Sequence, residues 1–163
     1  MGGASLGGGG DLREPAPGTR PSGSGHSLAV YCFDTDVLSA VLRRDPALPL
    51  IRRLARVPPE AQFTTSITFG ELLYGAAKRE SPGLASKIRE LVPGAVAILP
   101  FDEQAAEVYG PLRARLEAQG RRLDEPDLRI AAIALSRGFT VVTGNVRHFG
   151  RVPELKVENW LVT

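Results

Sequence analysis

Val30-Tyr31-Cys32-Phe33-Asp34-Thr35-Asp36-Val37-Leu38-Ser39-Ala40-Val41-Leu42 is the stretch on which the fold turns. Residues 28–33 form an apolar run with a valine and two aromatics, which suits a short buried strand. Apolar residues then recur at Val37, Leu38, Val41 and Leu42, the spacing of one helix face. A buried strand running straight into a helix is the opening of an α/β unit. Its junction carries a carboxylate, Asp34. A carboxylate beside apolar surface is costly unless it is paired, hydrogen-bonded or bound to a cation.

The same alternation continues outward. A helix is predicted over 48–56, stopped by Val57-Pro58-Pro59, and a Thr-rich strand over 62–66. Helices follow over 67–78 and 84–91, then a strand over 95–99. Asp102 is a favoured N-cap for a helix over 103–119, with Ala105, Tyr109, Leu112 and Leu116 on one face and Gly120 at its end. A helix over 125–137 is closed by Gly138. A strand over 139–143 and a short one over 155–157 complete the pattern. Strands alternating with helices imply a central parallel sheet covered on both faces, a three-layer α/β/α domain. Such sheets bind ligands beyond the carboxyl ends of their strands.

Three acids fall near that edge: Asp34, Glu71 after Phe63–Thr68, and Asp127 before the run Ile130–Leu135. Each has a plainer role when taken singly. Asp34 suits an N-cap. Thr68-x-x-Glu71 reads as a capping box. Pro126-Asp127 is ordinary first-turn chemistry. Capping does not explain why all three collect at one edge of one sheet. Converging carboxylates repel until a divalent cation offsets their charge, which points to hard-metal chemistry.

Composition sets the bounds. The chain has 163 residues and a net charge of +2, which suits one domain and permits a nucleic-acid partner without demanding one. Residues 1–27 hold half of the 18 glycines, with prolines and serines, and are expected to form a disordered tail. That tail has no apolar h-region of the signal-peptide kind. The domain is expected over residues 28–163. No apolar stretch reaches the roughly 18–20 residues of a membrane span. Cys32 is the single cysteine and reads as a buried thiol, compatible with a reducing cytoplasm.

Other chemistries find no support. There are two histidines, and His26 lies in the tail, so a paired-histidine ribonuclease is excluded. No Gly-x-Ser-x-Gly elbow, Cys/His zinc cluster or Gly-Lys-Ser/Thr phosphate loop is present. Asp34-Thr35-Asp36 invites comparison with haloacid-dehalogenase-like phosphatases, but Leu38 stands where they carry Thr or Val, and their later Gly-Asp-x-x-x-Asp pattern is missing.

Taken together, Phe33–Leu38, Ser66-Ile67-Thr68-Phe69-Gly70-Glu71-Leu72-Leu73-Tyr74-Gly75, Pro100-Phe101-Asp102 and Leu112-Arg113-Ala114 resemble a known family. Asp127-Leu128-Arg129-Ile130-Ala131-Ala132, Val142-Thr143-Gly144-Asn145-Val146-Arg147-His148-Phe149 and Leu155-Lys156-Val157-Glu158-Asn159-Trp160 extend the match. From about Val30 to Trp160 the chain resembles a PIN-domain endoribonuclease of the VapC toxin type.

The resemblance implies a toxin of a type II toxin–antitoxin system in which Asp34, Glu71 and Asp127 hold Mg²⁺ or Mn²⁺. Asn145 would take the place of a fourth acid, and Thr35 and Thr143 would support the acids through their hydroxyls. Asp124 stands where the family often has glycine, and His148 where it often has aspartate. The implied reaction is hydrolysis of an RNA phosphodiester by water, leaving a 5′-phosphate. The implied partners are a VapB-type antitoxin, an RNA substrate (tRNA or rRNA) and a second copy of the chain, with no membrane. Arg121, Arg122 and Arg147 lie close in sequence to the acids and are the expected phosphate contacts. The alternative is a non-catalytic PIN scaffold that binds RNA or protein, a class marked by loss of an acid.

Overall fold

The computed structural model describes residues 28–162; the expectation for the tail, residues 1–27, lies outside them. Within these residues five strands form one sheet: β1 (Tyr31–Phe33), β2 (Gln62–Thr65), β3 (Ala97–Leu99), β4 (Thr140–Val142) and β5 (Val157–Glu158). All neighbours are parallel, in the order β3-β2-β1-β4-β5. Among the described residues seven helices surround the sheet: α1 (Thr35–Val41), α2 (Leu48–Ala55), α3 (Ser66–Lys78), α4 (Pro82–Ala95), α5 (Glu103–Ala118), α6 (Glu125–Arg137) and α7 (Val146–Phe149). The predicted three-layer α/β/α arrangement is the observed one.

Period-two alternation along the strands sends neighbouring residues into opposite layers. Phe33 and Val142 pack with Val37, Leu38, Leu72 and Ile88 of α1, α3 and α4. Cys32 and Val141 face the other way, against Leu112, Leu116, Ala131, Ala134 and Phe149. The alanines of α6 are fully buried, so small side chains let this helix lie close on the sheet. Cys32 is a buried free thiol, pushed up to about 12 by burial and then by the charge of Asp34. Gly138 ends α6 with φ 70°, a left-handed conformation that glycine adopts without a Cβ penalty.

Element ends shift by a few residues from the sequence reading in several strands and helices, and some departures have a clear cause. α4 continues through Pro93 to Ala95 rather than stopping at residue 91, because Val92 is buried and Val96 N–H still reaches the Val92 carbonyl. A 3-10 turn, Pro59–Ala61, leads into β2. Residues 146–149 form α7, too short to show a periodic face. The last strand lies at 157–158 rather than 155–157. No helix among the described residues is long and apolar enough to cross a membrane.

Candidate active site at the sheet's switch point

The chain leaves β1 outward through β2 and β3, then returns to β4 on the other side. The strand order therefore reverses between β1 and β4, the crevice where open parallel sheets bind ligands. Asp34 directly follows β1, and Thr143 directly follows β4.

Asp34 is 6 % exposed and occupies the N-cap position of α1. Its Oδ1 accepts from the adjacent Thr35 N–H at 2.7 Å, and its Oδ2 accepts the Thr143 hydroxyl at 2.8 Å. The Thr143 oxygen in turn accepts the Asn145 N–H at 2.9 Å. Asn145 Nδ2 reaches Oδ2 of Asp127 at 3.4 Å, a long contact. A continuous polar chain, Asp34–Thr143–Asn145–Asp127, thus runs across the crevice. Thr35 contributes its backbone; its hydroxyl is buried without a protein partner.

Electrostatics separates these acids from simple helix caps. A carboxylate serving only a helix N-terminus would be held below its ordinary range. Asp127, the third residue of α6, is instead pushed up to about 6 by desolvation and then by the charges of Asp34, Glu71, Asp124 and Asp36. Asp34 is also raised, chiefly by burial, although the Thr143 and Thr35 bonds oppose the shift. Glu71 is raised by desolvation and by Asp34. The three acids therefore share one field. They stand apart within it: among the described residues no three His, Cys, Asp or Glu side chains close tightly enough to enclose an ion by themselves.

The capping-box reading of Glu71 is overturned. The N-cap of α3 is Thr65, whose hydroxyl oxygen accepts from Thr68 N–H at 3.0 Å. Thr68 is inside the helix, and Glu71 lies beyond the first turn, where it caps nothing. Strand β2 ends one residue earlier than the sequence suggests, which moves the cap to Thr65.

A PIN-domain model matches residues 31–155. The chain is 35% identical over 131 residues to ribonuclease VapC2 of Haemophilus influenzae, covering 80% of this chain and 98% of that protein. The chain belongs to the VapC branch of the PIN-domain family. This VapC-type chain is also 33% identical over 130 residues to the tRNA(fMet)-specific endonuclease VapC of Shigella flexneri, covering 80% and 97% of the two. Among solved structures it resembles a chain of the VapBC2 complex of Rickettsia felis bound to a promoter DNA fragment. That match has a TM-score of 0.74 and 26% identity, and covers 80% of this chain and 98% of that one.

The arginines singled out from the sequence are exposed on the surface of the PIN domain. Arg121 and Arg122 are exposed between α5 and α6, and Arg147 is exposed on α7. The Arg122 carbonyl accepts from Arg151 Nη1 at 2.9 Å, which ties this connection to the segment after α7. Sequence reasoning missed Asp36. Its Oδ2 accepts the Gly144 N–H at 2.8 Å, while its Oδ1 is buried without a partner. The Asp36 signal was masked by its neighbour Asp34, and its partner lies 108 residues away.

Proposed function

We propose that this chain is the toxin of a type II toxin–antitoxin pair and a metal-dependent endoribonuclease, with Asp34, Glu71 and Asp127 as its acidic core and Asn145 beside them. The observation that carries this is the polar chain from Asp34 to Asp127 across the β1/β4 switch point, within a cluster of acids whose ionised forms are mutually disfavoured. Both curated relatives described above are named as nucleases, one of them specific for a tRNA.

The residues fit a hard divalent ion. Every candidate donor is an oxygen, and the raised acids gain when positive charge arrives. Mg²⁺ keeps several waters and needs few direct carboxylates, so acids that do not touch one another suit it. Asp34, Glu71 and Asp127 would hold Mg²⁺ or Mn²⁺, and the ion supplies activation of water and charge compensation at the phosphodiester. The chain itself does the positioning. Thr143 fixes the carboxylate of Asp34, Asn145 restrains that of Asp127, and burial keeps bulk water from Asp34. Water as nucleophile leaves a 5′-phosphate and a 3′-hydroxyl. Arg121, Arg122 and Arg147 are assigned to flanking phosphates, and the RNA is a tRNA or rRNA by likeness to the relatives. A VapB-type antitoxin, a homodimeric toxin and a cytoplasmic setting complete the reading; the VapBC2 complex supports the first of these.

The test is cleavage of RNA by purified protein, with EDTA and with Mg²⁺ or Mn²⁺ restored. Cleavage is expected to stop in EDTA, to return with either ion, and to be abolished in Asp34→Asn and Asp127→Asn. Full cleavage in EDTA, or by either variant, would overturn the reading. Sequencing the 5′ ends of RNA after pulsed expression then identifies the substrate.

A further inference from the structure

We infer that Asp36 is a positioning residue that latches the segment Thr143-Gly144-Asn145 in place and thereby sets the two side chains that hold Asp34 and Asp127. This inference rests on the proposed nuclease function.

Gly144 lies between Thr143 and Asn145, the donors to Asp34 and Asp127. Its N–H donates to Asp36 Oδ2 at 2.8 Å. The approach is so close that a Cβ on Gly144 would sit 2.7 Å from Asp36 Oδ2 and 3.0 Å from Leu161 Cδ1. A side chain there would have to push the Asp36 carboxylate aside, so glycine lets the backbone meet it undisturbed. The latch joins the first turn of α1, which Asp34 caps, to the loop after β4. The other backbone tie of this segment to the sheet is the Thr143 N–H, which donates to the Glu158 carbonyl of β5 at 2.9 Å.

The plainer account makes Asp36 a first-turn acid that complements the dipole of α1. Such an acid gains most when its oxygens are solvated or capping. Here Oδ2 is committed to a backbone donor on another element, and Oδ1 is buried without a partner. That arrangement suits a tie between elements.

The experiment compares Asp36→Ala, Asp36→Asn, Gly144→Ala and the double Asp36→Ala/Gly144→Ala variant with the wild-type chain. It reads kcat and KM for RNA cleavage, the melting temperature, Mn²⁺ affinity by calorimetry, and hydrogen exchange of the Gly144 amide. Asp36→Ala and Gly144→Ala are expected to lower kcat by about 10–100-fold, the scale of a displacement near 1 Å, with KM little changed. The double variant is expected to be no worse than the poorer single, because both remove one contact. Asp36→Asn keeps an oxygen acceptor for Gly144 and is expected to restore kcat. Wild-type kcat in Asp36→Ala, additive losses in the double variant, or an Asp36→Asn as poor as Asp36→Ala would each overturn the latch. If Asp36→Ala does not fold, Gly144→Ala and Asp36→Asn decide the matter. If the wild-type chain cleaves no RNA, the nuclease reading fails on its own. The latch is then judged by the Gly144 amide, which should exchange slowly in wild type and Asp36→Asn and fast in Asp36→Ala; fast exchange in wild type refutes it.

Discussion

Thr143 and Asp34, 109 residues apart, are joined by a hydroxyl-to-carboxylate hydrogen bond of 2.8 Å at the seam between β1 and β4. The same hydroxyl oxygen accepts from the Asn145 backbone, so one small side chain serves both halves of the crevice. Its methyl is buried as well, and valine would fill the same space.

Thr143→Val is therefore expected to keep the fold but strand two polar groups, Oδ2 of Asp34 and the Asn145 N–H. Leaving buried groups unpaired costs about 1–3 kcal/mol each. Urea unfolding should show the loss, and cleavage should fall with it. Thr143→Ser restores the hydroxyl and should recover cleavage. Equal cleavage by the valine and threonine forms would show that Asp34 needs no such support.

Asp127 makes the metal-free chain sensitive to pH in an unusual direction. Its carboxyl is raised from 3.8 to about 6, so the folded chain binds this proton more tightly than the unfolded one. Stability from this group is fully present below 3.8 and is lost as pH rises through about 6. Asp34 and Glu71 are raised in the same direction. Asp102, held down by the Ala105 N–H, and Glu125, held down by Tyr109, shift oppositely, but both are open to solvent screening. In EDTA, Asp127→Asn should melt higher than wild type near neutral pH and show a flatter dependence below it. Mg²⁺ or Mn²⁺ should raise the wild-type melting temperature more at neutral than at acid pH. Thermal melts across pH, with and without the ion, would contradict this if the wild type gained stability as its acids ionised.

Arg121→Ala/Arg122→Ala is expected to weaken RNA binding more than it slows cleavage at saturating RNA. Each lost phosphate contact should lower the salt slope by about 0.7 on a single strand. Titrations at several salt concentrations, with Asp34→Asn as background, measure this. Unchanged affinity and slope would leave these exposed arginines to a protein partner.

Thr65→Val removes the cap acceptor of α3 while keeping the buried shape. The Thr68 N–H and hydroxyl both lose their partner. A loss of about 0.5–2 kcal/mol is expected, the range for N-cap removal. A shift in the urea midpoint that fails to appear would return the cap to Thr68 and Glu71 to a capping box.

The architecture was legible because apolar runs and helical spacing are local. Val37, Leu38 and Leu72 declare their faces within a few residues, and Gly138 marks the end of α6. Asp34, Glu71 and Asp127 could be gathered because parallel topology puts strand ends on one edge. What stayed hidden depends on distant partners or on single-residue offsets. Nothing near Asp36 announces Gly144, and a strand ending at Thr65 rather than residue 66 moved a helix cap by three residues. α7 has four residues, fewer than a periodic signal needs.

The wide separation of Asp34 and Thr143 bears on when the protein can act during its own synthesis. β1 lies at the centre of the sheet, yet one of its two neighbours, β4, is translated more than a hundred residues later. Until that segment leaves the ribosome, Asp34 has neither the hydroxyl that fixes it nor Asn145 nearby, and one side of β1 has no strand to pair with. Long-range parallel pairing is also slow to form. On the proposed nuclease function, a half-made chain lacks the supported pair Asp34–Thr143, and the crevice is complete only when the sheet is.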